Sequence, residues 1–192
     1  MGAPAKVLVP ADVRRLRAGA KRGRHGLRND AMILLSFNAG LRACEIAGLD
    51  WTMVLDPRGR VAASIHVGHD IAKNGRARQL PLHPLLKASL TELHLHYGKP
   101  ARGPVIQSQK GGHMTARSVV NWFARNYSEL GMEGCSSHSG RRTFITRTAR
   151  LIARSGGSLR DVQILVGHRD LATTQRYIDG DSRAQRKLVA ML

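Results

Sequence analysis

The chain has 192 residues, 42% hydrophobic and 4% aromatic, which suits one domain with a core of Leu, Val, Ile and Ala. Its 31 Lys and Arg against 13 Asp and Glu give a formal charge of +18, which points to a polyanionic partner, nucleic acid before a membrane surface. No apolar run is long enough to span a bilayer, the opening residues carry no apolar signal segment, and Cys44 and Cys135 without a CxxC pair exclude a zinc-finger framework and suggest a reducing, cytoplasmic setting.

In chain order, Pro10 to Asp12 followed by Val13, Leu16 and Ala20 predicts a short opening helix, and a basic loop follows at 21–26. Asn29 or Asp30 is expected to cap a second helix carrying Met32, Leu34, Leu35 and Phe37, stopped by Gly40. A short helix is expected over Ala43–Leu49 with Glu45 in its first turn. From Trp51 the period changes. Residues 61–67, 71–73 and 76–80 read as strands, the last two joined by an Asn74-Gly75 hairpin and closed by Pro81. Helices follow over His83–Tyr97, from the Thr115 cap to Leu130, from Ser137 to about Ile152, and from Ser158 to Val166. A further turn is expected at Thr173–Tyr177 and a last helix at Ser182–Leu192, with Leu188, Val189 and Leu192 on one side. The expected class is mainly α with a small antiparallel β-sheet.

The residues able to carry chemistry are few and spread. His138 and Arg141, three apart, share one face at a helix start, where free backbone N–H groups and the dipole favour an anion. Arg42 follows Gly40-Leu41, with Glu45 one turn later. Lys73 precedes the hairpin turn, Gly167-His168 closes a short helix, and Tyr177 lies nine residues beyond His168. Tyr97 and Tyr127 end amphipathic helices and read as packing residues. His66, His69, His94 and His96 read as surface or loop histidines. Taken singly, any of these basic side chains is an ordinary solvated or phosphate-steering group.

Their order and spacing together resemble the tyrosine recombinase (phage integrase) family. The matching stretches are 39–51 around Gly40-Leu-Arg42 and Glu45, 72–75 around Lys73, 138–144 opening His138-Ser-Gly-Arg141, 165–168 ending Gly167-His168, and 173–177 ending in Tyr177. The resemblance implies the family's catalytic-domain fold and a DNA breaking and rejoining activity through a 3′-phosphotyrosyl intermediate, with Tyr177 as nucleophile. It makes Arg42 and Arg141 the clamp on the non-bridging phosphate oxygens, because guanidinium is always charged and forks to two oxygens. Lys73 becomes the general acid on the leaving 5′ oxygen, His138 assists the proton at the tyrosine, and His168 hydrogen-bonds the phosphate. Glu45 would support the site through Arg42 or His138. Neither cofactor nor metal is expected, since these cations supply the positive charge a metal would bring.

Gly140 and Arg142 depart from the family's His-x-Leu-Arg-His box, and Gly140 is expected to cost local packing and helix stability. The expected organisation is a catalytic domain over 1–181 and a tail over 182–192, of the short type without an N-terminal core-binding domain, either excised or naturally minimal. Double-stranded DNA is the expected partner, with self-association into a tetrameric synapse through exchange of the tail, in a cytoplasm of bacterial, archaeal or phage origin. Two other readings stand beside this one: a non-catalytic basic nucleic-acid-binding protein and a type IB topoisomerase-like relaxing enzyme.

Overall fold

The computed structural model describes residues 4–72, 75–177 and 190. Lys73, Asn74 and all of the expected 182–192 helix except Ala190 lie outside them. The chain divides into two compact units, Met1–Phe144 and Ile145–Leu192.

In the first unit the helices are α1 Pro10–Lys21, α2 Gly26–Asn38, α3 Ala43–Gly48, α4 Pro84–His96 and α5 Ala116–Glu129, and α6 starts at Ser139. α2 is the axis. Every residue from Arg28 to Phe37 is buried, and α1, α3 and α4 all pack on it. Polar groups on so buried a helix need partners. Asp30 finds them in Arg17, whose Nε and Nη2 donate at 2.6 and 3.0 Å, and in Lys21 at 3.4 Å. Asn29 and Asp30 therefore lie inside the helix and do not cap it; α2 starts earlier, at Gly26. Two other starts follow expectation, with Pro84 in the first turn of α4 and Thr115 Oγ1 accepting from the Ser118 N–H at 3.0 Å on α5.

The sheet has two strands, β1 Ser64–Val67 and β2 Arg78–Pro81, antiparallel with Val67 opposite Arg78 and Ile65 opposite Leu80. Ile65, Val67, Arg78 and Leu80 are buried while His66 and Gln79 are exposed, the period-2 pattern of a half-buried sheet. The expected strand at 71–73 does not form at its described positions, where Ile71 and Ala72 sit in turns. The expected Asn74-Gly75 hairpin turn falls partly outside the described residues, and β1 and β2 are joined through the connection 68–77. The register is set by the buried face of β2, and the loop closes itself with backbone bonds from Ala72 N–H to Gly68 O at 3.2 Å and from Gly75 N–H to Ala72 O at 2.9 Å.

His94 is the one of the four histidines that is not a surface group. It is 5% exposed, its Nε2 lies 3.0 Å from the Pro100 carbonyl and its ring lies 4.6 Å from Trp51.

The second unit holds the rest of α6, which ends at Ile152, then α7 Leu159–Val166 and α8 Leu171–Gln175, which pack together. Asp161 Oδ2 accepts the Ser158 N–H at 2.7 Å at the start of α7, and Gly167 ends that helix with φ +65°. α8 begins at Leu171, ahead of the expected turn, because Asp170 Oδ1 accepts the Ala172 N–H at 3.2 Å.

Gly140 proves to be a close-approach position. A Cβ there would overlap Ser36 Oγ and stand 2.8 Å from Ser36 Cβ and 3.0 Å from Phe37 Cδ2. The missing side chain is what lets α6 lie against α2, so the family's Leu would not fit here. Helix propensity alone favours Ala over Gly by about 1 kcal/mol. Overlap of this kind costs about 1–3 kcal/mol, so Gly140→Ala should be net destabilising in urea unfolding.

Candidate active site

The turn out of α2 builds the first part of the site. Gly40 adopts φ +63°, open to glycine, and a Cβ there would meet Phe144 Cδ1 at 2.5 Å. Its carbonyl accepts a 2.6 Å hydrogen bond from Nη1 of Arg141, which is 5% exposed. Two residues on, Arg42 stands at the N-cap of α3. Glu45 reaches back to it, Oε2 accepting the Arg42 N–H at 2.9 Å and Oε1 accepting from Nη1 at 3.1 Å.

Glu45 is fully buried and holds a second arginine. Arg78 on β2 donates Nη1 to Oε1 at 2.9 Å and Nη2 to Oε2 at 2.8 Å, a bidentate pair. Burial would push the Glu45 carboxyl up. The Arg78 hydrogen bonds and charge, the Arg42 N–H and the Arg141 charge outweigh it and hold the carboxyl below its ordinary value. Three guanidiniums thus surround one carboxylate, and among these four side chains positive charge remains in excess. That surplus is what an anion would complete.

Sequence reasoning missed Arg78. A signal was present: the alternation that points Leu80 inward places Arg78 on the same face, where an arginine requires a buried acid. Of the partners expected for Glu45, the structure supplies Arg42. His138 is exposed and lies just ahead of α6, which starts at Ser139 and not Ser137. Its carbonyl accepts the Arg142 N–H at 2.8 Å, and its own N–H donates to Ser136 Oγ at 3.3 Å.

The second unit brings His168 and Tyr177 together. The positive φ at Gly167 turns the chain out of α7, and the buried His168 then places Nδ1 2.9 Å from Thr174 Oγ1. Gln163 Nε2 donates to the His168 carbonyl at 3.1 Å. The Tyr177 ring stacks on the imidazole with centroids 5.8 Å apart and planes at 24°. Lys73 lies outside the described residues.

The phage integrase family model matches residues 6–183. The chain belongs to the phage integrase family. Among its relatives, tyrosine recombinase XerC of Bradyrhizobium diazoefficiens is 33% identical over 184 residues, 94% of this chain and 54% of that protein. Tyrosine recombinase XerC of Methylobacterium sp. is 35% identical over 171 residues, 87% of this chain and 50% of that protein. The chain spans about half the length of the curated relatives it matches. In structure it is similar to the Tn1549 transposon integrase, solved in complex with a circular intermediate DNA, with a TM-score of 0.78 at 20% identity over 100% of this chain and 67% of that one. XerA recombinase superposes with a TM-score of 0.75 at 19% identity, over 100% of this chain and 66% of that one. The mainly helical architecture with its small antiparallel sheet is the tyrosine recombinase catalytic-domain fold.

The Glu45 pairings make a stability prediction. Arg78→Met leaves a buried carboxylate short of its bidentate partner and should destabilise the first unit by about 3–5 kcal/mol, read by chemical denaturation. Because Glu45 is depressed in the fold, its stabilisation is present above the unfolded carboxyl value near 4.5 and is lost as pH falls below it. Glu45→Gln should flatten the acid limb of the stability–pH curve. An unchanged limb would remove Glu45 from this role.

Proposed function

We propose that this chain is the catalytic domain of a site-specific DNA recombinase, which breaks and rejoins duplex DNA through a 3′-phosphotyrosyl intermediate. The observation that carries the proposal is the pair Arg42 and Arg141, each anchored to the Gly40–Glu45 segment within a surplus of positive charge. Guanidiniums held in advance stabilise charge that develops on a phosphorane-like transition state, each by about 3 kcal/mol if they act like other fixed oxyanion donors.

In the proposed reaction the Tyr177 phenolic oxygen attacks phosphorus and loses its proton with help from His138. The P–O5′ bond breaks as Lys73 gives a proton to the leaving oxygen, and His168 hydrogen-bonds the phosphate. The new P–O bond to tyrosine keeps the phosphodiester's energy, so a free 5′ hydroxyl reverses the steps and reseals the strand without ATP. The stacking of Tyr177 on His168 supports the pairing of nucleophile and phosphate ligand.

On nicked suicide substrates, Tyr177→Phe should abolish the covalent protein–DNA adduct while binding persists. In the same assay Lys73→Ala should lose adduct on an ordinary phosphodiester and regain it on a bridging 5′ phosphorothiolate, whose leaving group needs no acid. Adduct from the phenylalanine variant, or equal defects on both substrates for the alanine variant, would reassign the roles. A protein that relaxes supercoils as a monomer but never exchanges strands would be a topoisomerase-like enzyme instead.

We further infer a domain over 1–181 and a tail over 182–192 that docks on a neighbouring subunit in a tetrameric synapse on DNA. The support is chemical: a helix of the length the sequence predicts over 182–192, with Leu188, Val189 and Leu192 on one side, is marginal alone, and the second unit leaves Leu151, Ile164 and Leu171 exposed at 53, 56 and 40%. Head-to-tail exchange closes into a ring. Deleting 182–192 should spare folding and abolish strand exchange and cooperative DNA binding; a deletion that recombines normally would place the tail on its own subunit. Among the described residues no helix is long and apolar enough to cross a membrane. The bacterial relatives and the two free cysteines support a cytoplasmic setting, bacterial, archaeal or phage in origin, which cell fractionation would test.

A further inference from the structure

A cavity of about 370 Å³ lies at the N-terminal end of α2. It is walled by Lys21 at the end of α1, by Arg24 and His25 of the α1–α2 loop, by the first turn of α2 with Arg28, and by His96 and Tyr97 at the end of α4. α2 has 13 residues and rises about 20 Å. The cavity and the Gly40–Arg42 turn therefore stand at opposite ends of that helix.

Arg28 is the central group. It is 8% exposed, yet its hydrogen bonds all go to neutral oxygens: Nη1 to the Gln107 carbonyl at 2.8 Å, and Nε and Nη2 to Asn29 Oδ1 at 3.3 and 3.0 Å. Among the described residues no carboxylate pairs with it at ion-pair distance. A buried charge without a counter-charge is costly. Around it the same sign accumulates. Arg24 is exposed on the loop, Lys21 reaches Asp30 at 3.4 Å, and the one acidic lining residue, Glu92, is exposed. α2 opens at His25 with no side-chain cap, so the first-turn N–H groups of Gly26, Leu27 and Arg28 have no side-chain acceptor there and carry the positive end of the dipole.

We propose that this cavity binds the phosphate group of a small phosphate monoester or inorganic phosphate. The anion sits between the Arg24 and Arg28 guanidiniums, accepts from the first turn of α2, and takes a further donor from the Tyr97 hydroxyl. It supplies the counter-charge Arg28 lacks. Burial and the charges of Arg28 and Arg24 hold the His25 imidazole below its ordinary value. A bound dianion opposes those charges, so occupancy raises that imidazole's pKa.

The test is histidine-ring NMR on the full chain, titrated with inorganic phosphate and separately with adenosine 5′-monophosphate against chloride at constant ionic strength. Saturable shifts at His25 and His96 are expected, with the His25 titration moving upward. Arg24→Glu should weaken binding by about tenfold or more, while Arg117→Glu, an exposed charge outside the cavity, leaves it unchanged. Tighter binding of the nucleotide identifies a nucleotide source and equal binding identifies free phosphate; either supports the site. An unmoved His25, or equal weakening by both charge reversals, would mean only the diffuse attraction of a +18 chain and overturn the proposal. A short DNA duplex that shifts the same two histidines at lower concentration than either small anion would overturn it in favour of DNA.

Discussion

The first unit depends on one buried carboxylate. Glu45 sits at the third position of α3, where it accepts the backbone N–H that opens the helix, and it also binds two guanidiniums from different parts of the fold. A single negative charge thereby ties the start of α3 to β2 and orients Arg42. In a water-poor site that carboxylate is stable only while its cationic partners remain, and they are stable only while it does. The helix start, the sheet and the arginine are consequently one cooperative feature.

A second constraint is distance. α2 is buried on all sides, and α6 can approach it only because Gly140 has no side chain to meet Ser36 and Phe37. At the same end of α2, Gly40 supplies both the positive-φ turn and the carbonyl that receives Arg141. Backbone proximity at these two glycines thus places an arginine from one motif against the chain that carries the other. The packing is what converts two separated sequence motifs into a shared cationic cluster around Glu45.

Charge is distributed unevenly across these features. Where chemistry is proposed, carboxylate and guanidinium are interleaved with a positive remainder; at the N-terminal end of α2, Arg28 is held by neutral oxygens alone. The same physical rule governs both places. A buried cation requires either a fixed anion within the protein or a ligand that brings one, and the two ends of α2 answer that requirement differently.

The sequence by itself determined the class, the order of most helices and the ensemble of motifs. Those features are local: Pro84 and Thr115 mark helix starts, Gly40 and Gly167 mark ends, and apolar spacing marks the buried faces. Tertiary structure decided what local rules cannot reach. Asn29 and Asp30 resemble caps by composition, but Arg17 and Lys21 satisfy Asp30 from α1, so the helix runs through them. Asn74-Gly75 suggests a tight hairpin, but β2 takes its register from Arg78 seated on Glu45 and Leu80 opposite Ile65. His94 looks like a surface group until Trp51 packs against it. Gly140 reads as a loss until its neighbour across the helix contact is known. In each case the deciding partner is distant in sequence, and burial makes satisfying that partner worth more than the local preference.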